Sequence, residues 1–288
     1  MFAITAITGR VGDALAETLL SKGQSVRAVV RDRNKGEPWA ARGCDIAIAD
    51  MNDAGPLTQA LAGVEGAFIL LPPLFDPSPG FPETRAMIAI IREALEQAAP
   101  PKAVVLSTIG ADAMQPNLLS GLRFLEEALA SLEMPLTFLR AAWFMENAEW
   151  DIASARDEGV IRSCLQPLER PVPMIAIADV GRTAAELLLE KWNGKRVVEL
   201  QAGERVSPNR IAAAFGKALG RDVKAEIVAR ETWEAIFRAQ GMNNPVPRMQ
   251  MLDGFNEGWI DFRDQGAHAR KGRIGIDDAI ASLVAGKG

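Results

Sequence analysis

The sequence contains no tyrosine, one histidine and two cysteines in 288 residues. Without tyrosine there is no phenol to protonate a carbonyl oxygen, so alcohol, ketone or sugar-epimerase chemistry built on such an acid has no candidate. The single histidine, His268, lies in a polar stretch from 264 to 273 with no serine or cysteine partner, and reads as a solvated loop residue. The nearby Arg270, Lys271 and Arg273 form a short basic patch, expected to face water. Cys44 and Cys164 fit neither a disulfide framework nor metal-ligand spacing; two free thiols and no metal site are expected. Long apolar runs are also missing. The longest, near residues 67 to 75, holds Pro72 and Pro73 and is far below the ~18 residues that span a bilayer. Neither sign of charge dominates: 37 acidic against 32 basic residues give a formal charge of −5, with no general attraction to nucleic acid or anionic lipid. No basic lead-in precedes the first apolar residues, which makes the cytoplasm the expected compartment. Internal repeats and low-complexity tracts are absent.

What is present is a chain with 48% hydrophobic residues, enough for a substantial core. Residues 2–7, 25–30, 45–49, 67–71, 103–107 and 136–139 read as strands, most of them continuous apolar runs. Such strands suit a parallel sheet covered on both faces, because a sheet with one wet face alternates. Helical periods fill the gaps at 11–22, 87–98 and 118–132. The first puts Val11, Leu15 and Leu19 on one stripe and stops at Gly23. Alternating strands and helices predict an α/β fold with a doubly wound parallel sheet, in the strand order 3-2-1-4-5-6. After Arg140 the prolines scatter, the periodicity loosens and every tryptophan except Trp39 appears. This predicts a main domain over 1–150 and a smaller α/β region over 151–288 for substrate recognition. Within that region a strand at 174–177, a helix at 179–192 and a strand at 197–200 are expected to return to the main sheet.

The strongest local signal is Ala6-Ile7-Thr8-Gly9-Arg10-Val11-Gly12, between the first strand and the first helix. Gly9 permits a tight turn and close approach of a diphosphate, Gly12 permits close packing of helix on strand, and the helix-start amides face an anion. Ala6 stands where a three-glycine pattern has its first glycine. The second strand ends at Arg31, where an NAD-binding chain usually offers a carboxylate. A guanidinium there matches the 2′-phosphate of NADP, and Lys35 and Arg10 add positive potential. The other reading has Arg31 solvated and Asp32 on the ribose. Asp50, followed by Met51, ends the third strand and can either accept from an adenine amino group or cap the next helix. Leu70, Leu71 and Pro72 after the fourth strand, and Ser107 and Thr108 after the fifth, are expected to border ribose and nicotinamide.

These residues together resemble the NmrA-like branch of the atypical short-chain dehydrogenase/reductase family. The likeness rests on Thr8 to Gly12, Arg31, Asp50, Ser107-Thr108, the run Leu139-Arg140-Ala141-Ala142-Trp143-Phe144-Met145-Glu146-Asn147, and Ile177 to Gly181. In that run Ala141 and Ala142 replace the proline and glycine of the family signature. The resemblance implies a Rossmann-type sheet, NADP(H) as cofactor, and relatives that include quinone, azo-dye and triphenylmethane-dye reductases as well as non-catalytic redox sensors. It breaks at the tyrosine and lysine common in short-chain dehydrogenases: aligning on Glu126 and Arg140 puts Leu118 and Leu122 there, both expected as helix core. An acceptor that delocalises negative charge needs little acid catalysis, so hydride transfer to a quinone-like or electron-poor aromatic small molecule is the expected activity. Phe75, Trp143, Phe144 and Asn147 are candidates to line its slot, with ordinary burial as the other reading for the aromatics. The alternative is a regulator that senses NADP(H) and acts through a protein partner.

Overall fold

The apolar runs do form the parallel ladders that their lack of alternation predicts. In the computed structural model, which describes residues 1–286, the central sheet contains β1 (Phe2–Ile4), β2 (Val26–Val30), β3 (Asp45–Ile48), β4 (Gly66–Ile69), β5 (Ala103–Thr108) and β6 (Leu136–Ala141). Their order is β3-β2-β1-β4-β5-β6, and it continues through Lys195–Gln201 to Arg270–Lys271. The β1/β2, β2/β3, β1/β4 and β4/β5 ladders are all parallel. The order reverses between β1 and β4, which opens a crevice at the carboxyl ends of those strands, where doubly wound sheets take their ligands.

The chain divides into two compact units. The first comprises Met1–Ala111, Gly121–Arg140 and Ala178–Val198; the second comprises Asp112–Ser120, Ala141–Ile177 and Glu199–Gly288. In the first unit, α1 (Arg10–Ser21) buries Val11, Leu15 and Leu19 as its period requires, and Gly23 closes it at φ +71°. α2 (Arg33–Ala40) and α3 (Ala54–Leu61) follow β2 and β3. α4 (Pro82–Ala98) starts five residues before the apolar period at Met87, because its first turn, Pro-Glu-Thr-Arg, is polar and is set by proline at its first position. α3 and α4 bury Leu57, Leu61, Ile91 and Leu95 in one core with Ile69 and Val105.

α5 (Ser120–Leu129) begins later than the sequence suggests. Leu118 therefore lies in the turn before the helix, half buried, and is not helix core; Asn117 and Ser120 organise that turn, with the Asn117 side chain accepting from Leu119 N at 2.8 Å. Leu122 does lie in α5, packed against the core. Residues 174–177 also need correcting. Met174–Ile175 is a strand outside the central sheet, paired in parallel with Trp143–Phe144 in the second unit. A second small parallel pair joins Val160–Ser163 to Lys224–Ile227. Around these pairs stand the helices Pro208–Leu219, Trp233–Ala239, Val246–Glu257 and Ile276–Val284. Among the described residues no helix is long and apolar enough to cross a membrane.

Candidate functional site

β1 ends at Ile4, so Ile7 belongs to a turn rather than to the strand. Ala6 carries the turn at φ +51°, a left-handed conformation that costs a side-chain-bearing residue on the order of 1–2 kcal/mol. Gly9 N donates to Ala6 O at 3.0 Å and closes it. Thr5, fully buried, pins the turn to β4: its hydroxyl donates to Phe68 O at 3.0 Å and accepts from Leu70 N at 3.0 Å.

The two glycines serve different ends. A Cβ on Gly12 would sit 2.4 Å from Ala6 O and 2.7 Å from the Ile7 Cα, both backbone atoms, so helix and turn can touch only through glycine. A Cβ on Gly9 would meet only Ala6 O, at 3.4 Å, and its φ of −95° is open to any residue. Gly9 is the N-cap of α1 and supplies no side-chain oxygen, so the first-turn N–H groups are offered beside the exposed Thr8, Gly9 and Arg10. Val11 and Gly12 are buried and can offer a ligand only backbone. Gly181, on the helix Ile177–Leu189, holds α1 from its other side; a Cβ there would lie 2.5 Å from that of Ala14.

At the end of β2, Arg31, Arg33 and Lys35 are exposed and, among the described residues, have no ion-pair partner. Asp32 is occupied as the N-cap of α2, accepting from Asn34 N at 2.9 Å. A cluster of solvent-facing cations beside an uncapped glycine turn fits a diphosphate with an additional phosphate, and this chain's residues therefore suit NADP(H).

Asp50 is half buried and accepts from the backbone and side-chain nitrogens of Asn52 at 2.8 and 2.9 Å. It does not cap α3. Asp53 does, accepting from Gly55 N at 3.2 Å. Met51 and Leu71 are buried, Leu70 is half buried and Pro72 is exposed. Phe75, 58% exposed, is no core aromatic. Thr108 is half buried, whereas the Ser107 hydroxyl is turned inward onto the Glu126 carboxylate. Glu126 in turn receives Arg140 as a two-pronged pair, Nε at 2.9 Å and Nη2 at 2.7 Å, with side chains only 11% and 8% exposed.

In the second unit Trp143 and Phe144 are half buried, with Trp143 edge-on to Phe255 at 5.1 Å between ring centres, and Asn147 is exposed. Glu146 accepts from Ile177 N at 2.9 Å and anchors the chain at the start of the next helix. Asp151 is half buried and has no ion-pair partner among the described residues, and desolvation pushes its carboxyl up to about 6 against a weaker opposing hydrogen bond from the Arg162 backbone. Because its native pKa lies above the unfolded value, the native state holds the extra proton between about pH 4 and 6, and this group's contribution to stability falls as pH rises through that window. Asp151→Asn is expected to flatten that slope in urea titrations from pH 4 to 7; an unchanged slope would place the titration elsewhere. Cys44 and Cys164 are free thiols, and His268 is exposed.

Sequence reading passed over Thr5 and Arg33. A lone polar residue inside an apolar strand end and a third cation within five residues were the available signals.

Comparison with known proteins is consistent with this geometry. The NmrA-like family matches residues 2–261. A quinone oxidoreductase 2 of Escherichia coli is 26% identical over 251 residues, covering 86% of this chain and 85% of its own. An NAD(P)H azoreductase of Xenophilus azovorans is 25% identical over 261 residues, covering 89% and 85%. Among solved structures, an E. coli NADPH-dependent quinone oxidoreductase complexed with NADPH superposes with a TM-score of 0.82 at 23% identity, covering 98% of this chain and 99% of its own. Triphenylmethane reductase of a Citrobacter species complexed with NADP(H) gives 0.80 at 18% identity, with 98% and 99% covered.

Proposed function

Since the chain belongs to the NmrA-like family, we propose that it is an NADPH-dependent oxidoreductase that reduces a quinone-like or electron-poor aromatic acceptor. The observation that carries the cofactor half of this reading is the uncapped turn at Gly9 beside the unpaired Arg31, Arg33 and Lys35. The acceptor half is supported by relatives that are named quinone and azo reductases.

The first unit, on this reading, holds the nucleotide. The turn amide of Thr8 and the first-turn amides of Arg10 to Gly12 take the diphosphate at the open face of Gly9, and Arg31 with Lys35 takes the 2′-phosphate by charge-assisted hydrogen bonds. Asp50 and Met51 flank the adenine; Leu70, Leu71, Pro72 and Thr108 border the ribose and nicotinamide. Ser107 acts from behind as a positioning residue, since its hydroxyl is committed to Glu126. Bound NADPH supplies the hydride. In the second unit Trp143, Phe144 and Asn147 are the residues proposed to receive the acceptor with aromatic surface and one amide. No tyrosine acid is required, because a conjugated acceptor spreads the incoming negative charge and water protonates it afterwards.

Titrating the protein with NADPH and NADH by nicotinamide fluorescence, then adding a simple quinone to the saturated complex, tests both halves. NADPH-selective binding followed by oxidation faster than the protein-free control is the expected result. Binding without turnover would support a sensing role instead, and no binding of either nucleotide would overturn the assignment. Arg31→Gln is expected to weaken NADPH binding about tenfold, the scale of one hydrogen bond to a charged group, with NADH affinity unchanged. Equal losses for both nucleotides would remove Arg31 from the phosphate site.

A further inference from the structure

Three arginines of the second unit face carboxylates: Arg205 meets Asp261 at 2.7 Å, Arg210 meets Asp277 at 2.6 Å and Arg230 meets Asp253 at 2.7 Å. Arg248, in the first turn of the helix Val246–Glu257, has no such partner among the described residues. Its guanidinium carbon lies 4.3 Å from the ring centre of Phe237 and 5.7 Å from that of Trp150, and one terminal nitrogen lies 3.7 Å from Met242 Sδ. Cys164 is close enough to feel its charge, but that thiol is pushed up to about 11 by burial and supplies no anion at neutral pH. No acidic residue stands in the helix's first turn, where the backbone dipole already disfavours a cation. The rings offset part of the cost of holding a half-buried guanidinium without a counter-charge. A ligand that brings the anion offsets the remainder. Trp150 is 67% exposed, so one of the flanking rings remains open to such a ligand.

We infer that Arg248, backed by the buried Phe237 and flanked by the exposed Trp150, forms a recognition site for a planar aromatic ligand bearing an anionic substituent such as a sulfonate or carboxylate. The planar guanidinium takes two oxygens of the anion through paired N–H donors, and the exposed ring of Trp150 covers the aromatic body. This rests on the oxidoreductase reading only in identifying the ligand as the acceptor; it narrows that acceptor to an anionic one.

Calorimetry on the full-length protein, with and without saturating NADPH, tests it using 9,10-anthraquinone-2-sulfonate and its uncharged 2-hydroxymethyl analogue. The wild type is expected to bind the sulfonate about tenfold more tightly, the scale of a charge-assisted pair. Arg248→Gln is expected to erase that preference while leaving the uncharged analogue's affinity and the thermal midpoint unchanged. Arg248→Lys, which keeps charge and stem but loses the fork, is expected to recover part of it and serves if the glutamine variant does not fold. A wild type without preference, or a preference that survives Arg248→Gln, overturns the proposal. Binding is read here without catalysis. Sulfonate binding that depends on Arg248 but comes with no NADPH oxidation would refute the oxidoreductase reading and leave this site standing.

Discussion

Glu126→Ala is expected to lower the unfolding free energy by about 3–5 kcal/mol, the usual cost of removing one member of a buried ion pair. Glu126 on α5 receives both prongs of Arg140 at the end of β6 and the hydroxyl of Ser107 on β5, so one carboxylate ties three elements together. Its removal takes a carboxylate acceptor away from a guanidinium that is 8% exposed and from a buried hydroxyl. Urea unfolding of the variant checks this. Glu126→Gln, which keeps the oxygen for one donor but not the charge, is expected to fall between wild type and alanine. A loss below about 1 kcal/mol for Glu126→Ala would mean that the pair has the weight of a surface salt bridge. Ser107→Ala separates the members: it is expected to cost about 1.5–2 kcal/mol, because it removes a single hydrogen bond to a charged group.

Gly12→Ala is the second large expectation. The added methyl would stand 2.4 Å from a backbone oxygen and 2.7 Å from a backbone carbon, so α1 must move away from the turn as a whole. Overpacking of this kind costs about 3 kcal/mol at the upper end of its usual range. The displaced helix start also disorders the amides proposed for the diphosphate, so NADPH affinity is expected to fall with stability. Gly9→Ala is the contrasting variant. Its methyl has room in the free protein, so the thermal midpoint is expected to stay within a degree or so while NADPH affinity falls, because the new side chain occupies the face that the diphosphate approaches. If Gly9→Ala binds NADPH as the wild type does, the diphosphate does not approach the turn at Gly9. If Gly12→Ala melts unchanged, the contact between helix and turn is looser than these distances require.

The parts of the site that were legible share one property: they are short-range. A glycine turn between an apolar run and a helical period, and a cation at the end of the next strand, are separated by few residues and by regular elements, so their placement follows from counting. Asp50 shows the limit. Its position after β3 was readable, but its choice between ligand and helix cap was not, since Asp53 three residues on is equally able to cap α3 and has the required extended backbone. Leu118 shows the same limit at a helix start: the hydroxyl and amide side chains of Asn117 and Ser120 bind the backbone locally and delay the helix past the apolar residue. Met174–Ile175 reads as an apolar strand in either sheet. Only the pairing with Trp143–Phe144, some 30 residues earlier in the chain, decides which.

The sequence by itself determined the α/β class, the order of the six leading strands, the glycine turn at the first crossover and the absence of a tyrosine acid, because periodicity, turn chemistry and residue identity are local. Tertiary structure alone decided that Ser107 is committed to Glu126, that Thr5 locks two strand ends, and that Arg248 has no carboxylate partner among the described residues whereas Arg205, Arg210 and Arg230 each have one. Each of these depends on which distant side chains burial brings together. Partners 14 to 98 residues apart in the chain meet through packing, and no pattern along the sequence encodes that meeting.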